Sequence, residues 1–386
     1  MNNFFYDVKT KIIFGKGGIN KLGENIKRYS SNILFCCGSG SIKKSGLYDA
    51  VIEQLKESEI NYTKLSGIKP NPRLSSVQKG IELCKSSKTD FILAVGGGSV
   101  IDCAKAIAAG FYYDGNVWDF YEYKAKIKKA LPVASVLTLA ASGSEMNGNS
   151  VITNEEAGVK RGVGSHLLYP VFSILDPSLT QTVPPHQTAA GTADIISHLF
   201  EQYFSKERSA YVTDRMIEAV LKTCFKFGPT AYKYPENFEA RANLMWASSI
   251  GLNSLLSMGK TGDWATHQIE HQLSAVNDLT HGTGLAILTP NWMEHVLDEK
   301  NAKVFADYGR NVWNISGKND TDTALKAIKK TREFFKSLDI PQTLREVGFN
   351  EEMLPDIARK TTLFGSVGQF KKLNEKDVLD ILKRSL

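Results

Sequence analysis

The stretch THQIEHQLSAVNDLTHG, residues 266–282, carries three of the chain's seven histidines. His267 and His271 stand four positions apart, so on a helix they share one face. His281 follows in a Thr-His-Gly-Thr-Gly segment that reads as a break between helices. Any one of these imidazoles, taken singly, reads more readily as a satisfied core group than as a ligand. A second pair changes the balance. In GTADIISHLFEQYF, Asp194 and His198 are also four apart, with Ile196, Leu199, Phe200 and Tyr203 roughly opposite and the small Ala190 and Gly191 on the same side. Alone, that helix reads as one with a polar face toward water. Together, Asp194, His198, His267 and His281 would give three nitrogens and one oxygen around an ion, leaving a position for substrate and His271 nearby. A set without sulfur suits Fe(II) or Zn(II), and also Ni(II) or Co(II).

The spelling His267-Gln-Ile-Glu270-His271 also fits the inverted zinc-peptidase signature, in which the glutamate works on water. That reading explains five residues and leaves the glycine-rich α/β half without a purpose. A metal acting as Lewis acid in hydride transfer uses Asp194 and His281 and asks nothing of Glu270. On this reasoning Glu270→Gln should abolish a peptidase and largely spare a reductase. His271 would relay the proton to solvent.

Elsewhere the chemistry is that of phosphate binding. FILAVGGGSVIDCAK reads as a buried strand ending in Gly96-Gly97-Gly98, with Ser99 as N-cap, a helix from about Val100, and Asp102 in its first turn. Glycines let a ligand approach the backbone, and the N–H groups of a helix N-terminus favour a phosphate there. A tight strand-to-helix turn is the plain alternative for a lone GGGS. A second turn, Gly38-Ser39-Gly40-Ser41, suggests the other side of a dinucleotide crevice, although Lys43 occupies the third glycine position of the usual fingerprint. It offers Ser39 and Ser41 with Lys43 and Lys44 behind them and no acid before Asp49, which predicts NADPH in preference to NADH. Asn71, between two prolines, and Thr138, Ser142 and Ser144 in TLAASGSE are further loop groups able to meet a nucleotide.

The elements that position these residues divide the chain in two. Up to about residue 185, runs such as NILFCC, DFILAV, LPVASVL and VFSIL alternate with helical segments, the pattern of a parallel α/β sheet. After Pro184 and Pro185 the periodicity is helical throughout. We therefore expect residues 1–183 to form a dinucleotide-binding α/β domain and residues 184–386 a helical metal-binding domain. A net charge of +6 from 47 basic and 41 acidic residues, spread without a basic block, predicts neither a nucleic-acid nor a membrane partner. No apolar run approaches the roughly twenty residues that cross a bilayer, and MNNFFYDVKTKIIF lacks the form of a signal peptide. Five cysteines in apolar surroundings without a C-x-x-C pair predict reduced thiols and a cytoplasmic protein.

FGKGGINKLG, GGGSVIDCAKAIA, LDPSLTQTVPP, DIISHLFEQY, RANLMWAS, DWATHQIEHQLSA and HGTGLAILTP together make the chain resemble the iron-containing alcohol dehydrogenases, in particular the butanol dehydrogenases and NADPH-dependent aldehyde reductases. The resemblance implies a Rossmann-like α/β domain for NAD(P) followed by an all-helical domain, the two-domain plan shared with dehydroquinate synthase. It implies Asp194, His198, His267 and His281 as ligands of one divalent metal, and Gly97, Gly98, Ser99 and Asp102 beside the pyrophosphate and nicotinamide. Gly38, Ser39 and Ser41 would lie near the adenosine ribose, and Asn71, Thr138, Ser142, Asn147 and Lys160 along the cofactor. The implied substrates are small aldehydes such as butanal and primary alcohols such as butanol, and the implied assembly is a homodimer. A lyase of the dehydroquinate synthase type is the alternative, but no cluster of basic side chains surrounds the metal segments to hold a phosphorylated acid. A non-catalytic nucleotide-binding protein with merely packed histidines is the remaining one.

Overall fold

The apolar runs that end in glycine turns form the inner strands of one sheet. The computed structural model describes residues 1–386, and six strands lie parallel in it: β1 (Lys11–Phe14), β2 (Asn32–Cys37), β3 (Asn61–Leu65), β4 (Phe91–Gly96), β5 (Val133–Leu137) and β8 (Phe172–Leu175). Their order across the sheet is β1-β8-β5-β4-β2-β3. Alternate residues of the inner strands enter two cores. Leu34, Cys36, Ile92 and Ala94 join the core on one face, and Ile33, Phe35, Phe91 and Leu93 the core on the other. Burial on both faces explains why these strands read as continuous apolar runs.

Two features were not legible. The edge strands KIIF and NYTKL are short, partly exposed and, in the second case, polar, so they carry no such run. An antiparallel hairpin, β6 (Asn149–Asn154) with β7 (Val159–Gly164), forms from a polar, glycine-containing stretch. The sheet order also contains a reversal. The chain passes from β2 outward to β3 and then returns to β4 on the opposite side of β2, so β2 and β4 flank a topological switch point, where α/β sheets characteristically bind ligands. Gly38–Ser41 and Gly96–Gly98 stand at the carboxyl ends of these two strands.

The chain forms two compact units: Asp7–Val183 with Pro235–Ser249, and Met1–Tyr6 with Pro184–Tyr234 and Ile250–Leu386. The break at 183/184 is one edge of this division, but neither unit is a continuous segment. The Phe238–Gly251 helix, expected in the helical half, packs on the α/β unit up to Ser249. Met245 enters a core of the sheet, Trp246 meets Phe14 at 6.2 Å between ring centroids, and Ser249 donates its hydroxyl to Glu145. At the other end, Asn2 ties the first residues to the helical unit through Gly259 O (3.0 Å) and Glu207 (3.1 Å). That unit contains helices and no paired strands beyond one isolated bridge, Val367 to Leu373. No helix is long and apolar enough to cross a membrane, and all five cysteines are buried thiols.

Candidate functional site

In the helical unit, the Pro185–Tyr203 helix is buried on every side from Thr188 onward. The polar face expected to meet water is therefore closed, and Asp194 and His198 must find their partners inside. His198 Nδ1 lies 3.5 Å from Asp194 Oδ1. His267 comes from the Ala265–Asn277 helix, and its ring centroid is 4.7 Å from that of His198. His281 is the first residue of the His281–Val296 helix, so the break lies just before it; its Nε2 is 3.8 Å from Asp194 Oδ1. One ligating atom each from Asp194, His267 and His281 falls within 4.8 Å of the others, with His198 alongside. Burial, reinforced by His267 and His281, pushes the His198 imidazole well below its ordinary pKa, which leaves the lone pair of one ring nitrogen available.

The glycines after His281 have packing reasons. A Cβ on Gly282 would lie 1.8 Å from Ala190 O, so only glycine lets this helix approach the Pro185–Tyr203 helix as it does. A Cβ on Gly284 would lie 2.8 Å from Glu270 Cγ.

His267 provides a test of whether a metal fits. It donates its Nδ1–H to Glu201 Oε1 at 2.8 Å, leaving a buried Nε2 with no hydrogen-bond partner. A buried imidazole nitrogen in that condition, beside a carboxylate and a second imidazole, is what a divalent cation satisfies, and the donor set suits such an ion. Glu270 corrects the sequence reading. It is fully buried, accepts from His281 Nδ1 on one oxygen and from Ser274 on the other, and so is engaged with the His281 imidazole instead of idle. Glu270→Gln therefore does not separate a reductase from a peptidase, and Glu270 is poorly placed as a base toward water. His271 is half-buried, its ring 5.6 Å from that of His281.

In the α/β unit, the Gly98–Gly110 helix starts two residues before Val100, with Gly97 as its cap and no side-chain cap, so Ser99 lies inside the first turn. A Cβ on Gly98 would come 2.1 Å from Ser142 Oγ, which places that hydroxyl over the helix start. Thr138, at the end of β5, donates its backbone N–H to Gly96 O. Asn71, at φ 49° and 6% exposed, accepts from Lys160 Nζ at 2.8 Å, so two residues 89 positions apart meet. Gly38, Ser39 and Ser41 follow β2, with Ser41 opening a one-turn helix, Ser41–Lys44.

Asp102 and Asn147 also have structural partners within the protein. Asp102 is the fifth residue of its helix, beyond the first turn, and accepts from Ser144 Oγ (2.6 Å) and Val151 N (3.1 Å). Asn147 accepts from Asn149 N (2.9 Å) and Lys105 Nζ (3.1 Å) and donates to Gly143 O (2.9 Å). Both hold the 142–151 segment in shape. At its centre is Lys105, wholly buried, which sequence reasoning passed over. The available signal was a lone lysine in the apolar helix VIDCAKAIAAG, because lysine is almost never fully buried unless paired.

A family model described as iron-containing alcohol dehydrogenase matches residues 9–177, and one described as Fe-containing alcohol dehydrogenase family, C-terminal, matches residues 188–386. The chain is 52% identical over 388 residues to the NADH-dependent butanol dehydrogenase A of Clostridium acetobutylicum, covering 100% of both chains. It is 39% identical over 389 residues to the NADPH-dependent aldehyde reductase YqhD of Escherichia coli, covering 100% of this chain and 98% of that one. The crystal structure of NADH-dependent butanol dehydrogenase A from Thermotoga maritima superposes with a TM-score of 0.97 at 42% identity, covering 100% of this chain and 99% of that chain.

Proposed function

Because the chain belongs to the iron-containing alcohol dehydrogenase family and is an oxidoreductase of that type, we propose that it interconverts small aliphatic aldehydes such as butanal with their primary alcohols. It does so with NADPH in preference to NADH and with one divalent metal, Fe(II) or Zn(II), held by Asp194, His198, His267 and His281. The observation that carries this reading is the partnerless buried Nε2 of His267 beside Asp194 and His281. When bound, the metal supplies a Lewis acid for the carbonyl oxygen and the nicotinamide supplies the hydride. The chain's own residues bind, orient and handle the proton. Gly97 and Gly98 open the helix N-terminus to a pyrophosphate, Ser99 continues that edge, and Ser142 and Thr138 bound it. Asn71 and Lys160 act as a pair along the cofactor, and Asp102 and Asn147 support it by holding the loop behind Ser142. His271 holds the proton that carbonyl reduction consumes.

The coenzyme preference rests on the Gly38–Ser41 turn. Relatives near half identical are named NADH-dependent, and one at 39% is named NADPH-dependent, so the local chemistry is the argument. Lys43, in the one-turn helix that Ser41 opens, and Lys64 bring their ammonium groups to 5.4 and 5.5 Å from the Tyr48 ring, a cationic setting for a 2′-phosphate. The test follows the loss of reduced-nicotinamide absorbance with butanal, comparing metal-stripped protein with anaerobically Fe(II)- or Zn(II)-reloaded protein. Turnover is expected only after reloading, with the higher kcat/KM for NADPH. Undiminished turnover by stripped protein would overturn the metal reading, and equal or better efficiency with NADH the coenzyme reading.

The assembly is a cytoplasmic homodimer joined at its N-terminal edge. Phe5 is wholly exposed, with Phe4 and Tyr6 about half so, and they lead into the edge strand β1. Light scattering should give about twice the 42.7 kDa of one chain, and Phe5→Asp should shift it toward one chain. A monomeric wild type would refute this assembly.

A further inference from the structure

We propose that Glu201 and Glu270 are positioning residues: each buried carboxylate grips the Nδ1 edge of one imidazole and so turns that ring's Nε2 toward the metal. The inference rests on the assignment of His267 and His281 as ligands.

The two carboxylates do this in different ways. Glu201 lies three residues after His198 on the Pro185–Tyr203 helix and is 3% exposed. Its Oε1 accepts from His267 Nδ1 (2.8 Å), from the His267 backbone N–H (3.2 Å) and from Thr266 Oγ1 (2.5 Å), while its Oε2 accepts from the Trp264 backbone N–H (2.5 Å). One carboxylate thus caps the start of the Ala265–Asn277 helix and sets the ring of the third residue in that helix. It also anchors Trp264, held at φ 65°, a left-handed conformation that is costly for a bulky residue. Glu270 touches side chains: Ser274 holds one oxygen and His281 Nδ1 meets the other. It sits on the same helix as His267, so one helix delivers both an imidazole and the carboxylate that aims the next. Gly284, with no side chain, leaves the space that the Glu270 stem fills.

A carboxylate on Nδ1–H fixes the tautomer that leaves the lone pair on Nε2, orients the ring and makes it a stronger donor. Such outer partners typically carry about 10–100-fold in metal affinity. Glu270→Gln is the sharper variant, because the amide keeps shape and an acceptor oxygen while losing the charge.

The test titrates metal-stripped protein with Zn(II) against a chromophoric chelator, records the visible spectrum of the Co(II) form, and follows thermal unfolding without metal. Wild type, Glu270→Gln, Glu270→Ala, Glu201→Gln and the ligand variant His267→Ala are compared. Glu270→Gln should weaken Zn(II) binding about 10-fold with shifted Co(II) bands and an unchanged apo unfolding temperature, and Glu270→Ala should weaken it toward about 100-fold while lowering that temperature, since it leaves a cavity and unpaired buried groups. Glu201→Gln should weaken binding similarly and also lower the apo unfolding temperature, since two backbone N–H groups lose a charged acceptor, and its Co(II) bands should shift; unshifted bands would make Glu201 merely structural. Wild-type affinity in Glu270→Gln with loss of binding in His267→Ala would overturn the positioning role and leave the ligand assignment standing. Wild-type affinity in His267→Ala would overturn the ligand assignment itself. An affinity loss in Glu270→Gln matched by a fall in apo stability would make Glu270 merely structural and overturn the proposal.

Discussion

Asp194→Ala protein will retain no stoichiometric divalent metal after dialysis and will reduce butanal at least about 10³-fold more slowly than the loaded wild type. Asp194 is the one carboxylate in the proposed ligand set, and its Oδ1 lies 3.5 Å from His198 Nδ1 and 3.8 Å from His281 Nε2. Without it three uncharged imidazoles would have to hold a doubly charged ion in a pocket where Asp194 is only 4% exposed. Lewis-acid stabilisation of developing charge on oxygen supplies several kcal/mol, and each ~1.4 kcal/mol is tenfold in rate, so loss of about 4 kcal/mol gives the stated factor. Metal analysis and turnover should fall together. Asp194→Asn distinguishes charge from shape: the amide keeps an oxygen at nearly the same place, so partial metal retention is expected. Full turnover by Asp194→Ala would remove Asp194 from the ligand set.

The sequence made the inner fold legible because its physics is local. Strands buried on both faces must read as apolar runs, and the glycine turns that end β2 and β4 are spelled out. Which strands neighbour one another is not local. The reversal that puts Gly38–Ser41 beside Gly96–Gly98 depends on β3 leaving to one edge, and NYTKL gives little hint that it is a strand. The Phe238–Gly251 helix shows the same limit: its periodicity announces a helix, but its packing against the sheet is decided by Met245 and Trp246 meeting residues far away in the chain. In the candidate site, residues that face one another across a helical turn, such as Asp194 and His198, are visible as i,i+4 pairs. Groups that act from behind are not. Glu201 and Glu270 look like ordinary helix charges in sequence, because nothing local reveals a carboxylate aimed at the far edge of an imidazole from another element. Asp102 and Asn147 show the converse: their motif suggests a ligand, and nothing local announces that their polar atoms also bond Ser144, Val151, Lys105, Asn149 and Gly143.

Lys105→Met will lower the stability of the α/β unit by about 3–5 kcal/mol, the cost of breaking a buried charged network by removing one partner. The Lys105 ammonium is wholly buried, and within 3.1 Å it has Ser144 O and Oγ, Asn147 O and Oδ1, and Asn149 O. Burial lowers its pKa to about 8, with Asp102 and Glu145 pulling the other way, so it is charged at neutral pH and donates to the carbonyls of Ser144, Asn147 and Asn149. Methionine fills a similar volume and supplies no donor, leaving those carbonyls buried and unsatisfied. At roughly 2–4 °C per kcal/mol for a unit of this size, the unfolding transition of that unit should fall by about 10 °C. The functional effect should be selective. The segment that Lys105 gathers also carries Ser142, whose hydroxyl stands over the start of the Gly98–Gly110 helix, so KM for NADPH should rise more than kcat falls. Metal affinity should stay at the wild-type level, because Asp194, His198, His267 and His281 all belong to the helical unit. Differential scanning calorimetry, nicotinamide kinetics below the unfolding transition and Zn(II) titration check the three parts separately. Lys105→Arg should not restore stability, since a guanidinium is too large and too planar for a fully enclosed site that converges five oxygens on one nitrogen. An unchanged transition in Lys105→Met would mean that those oxygens find other donors, and the loop behind Ser142 would then owe its shape to Asp102 and Asn147.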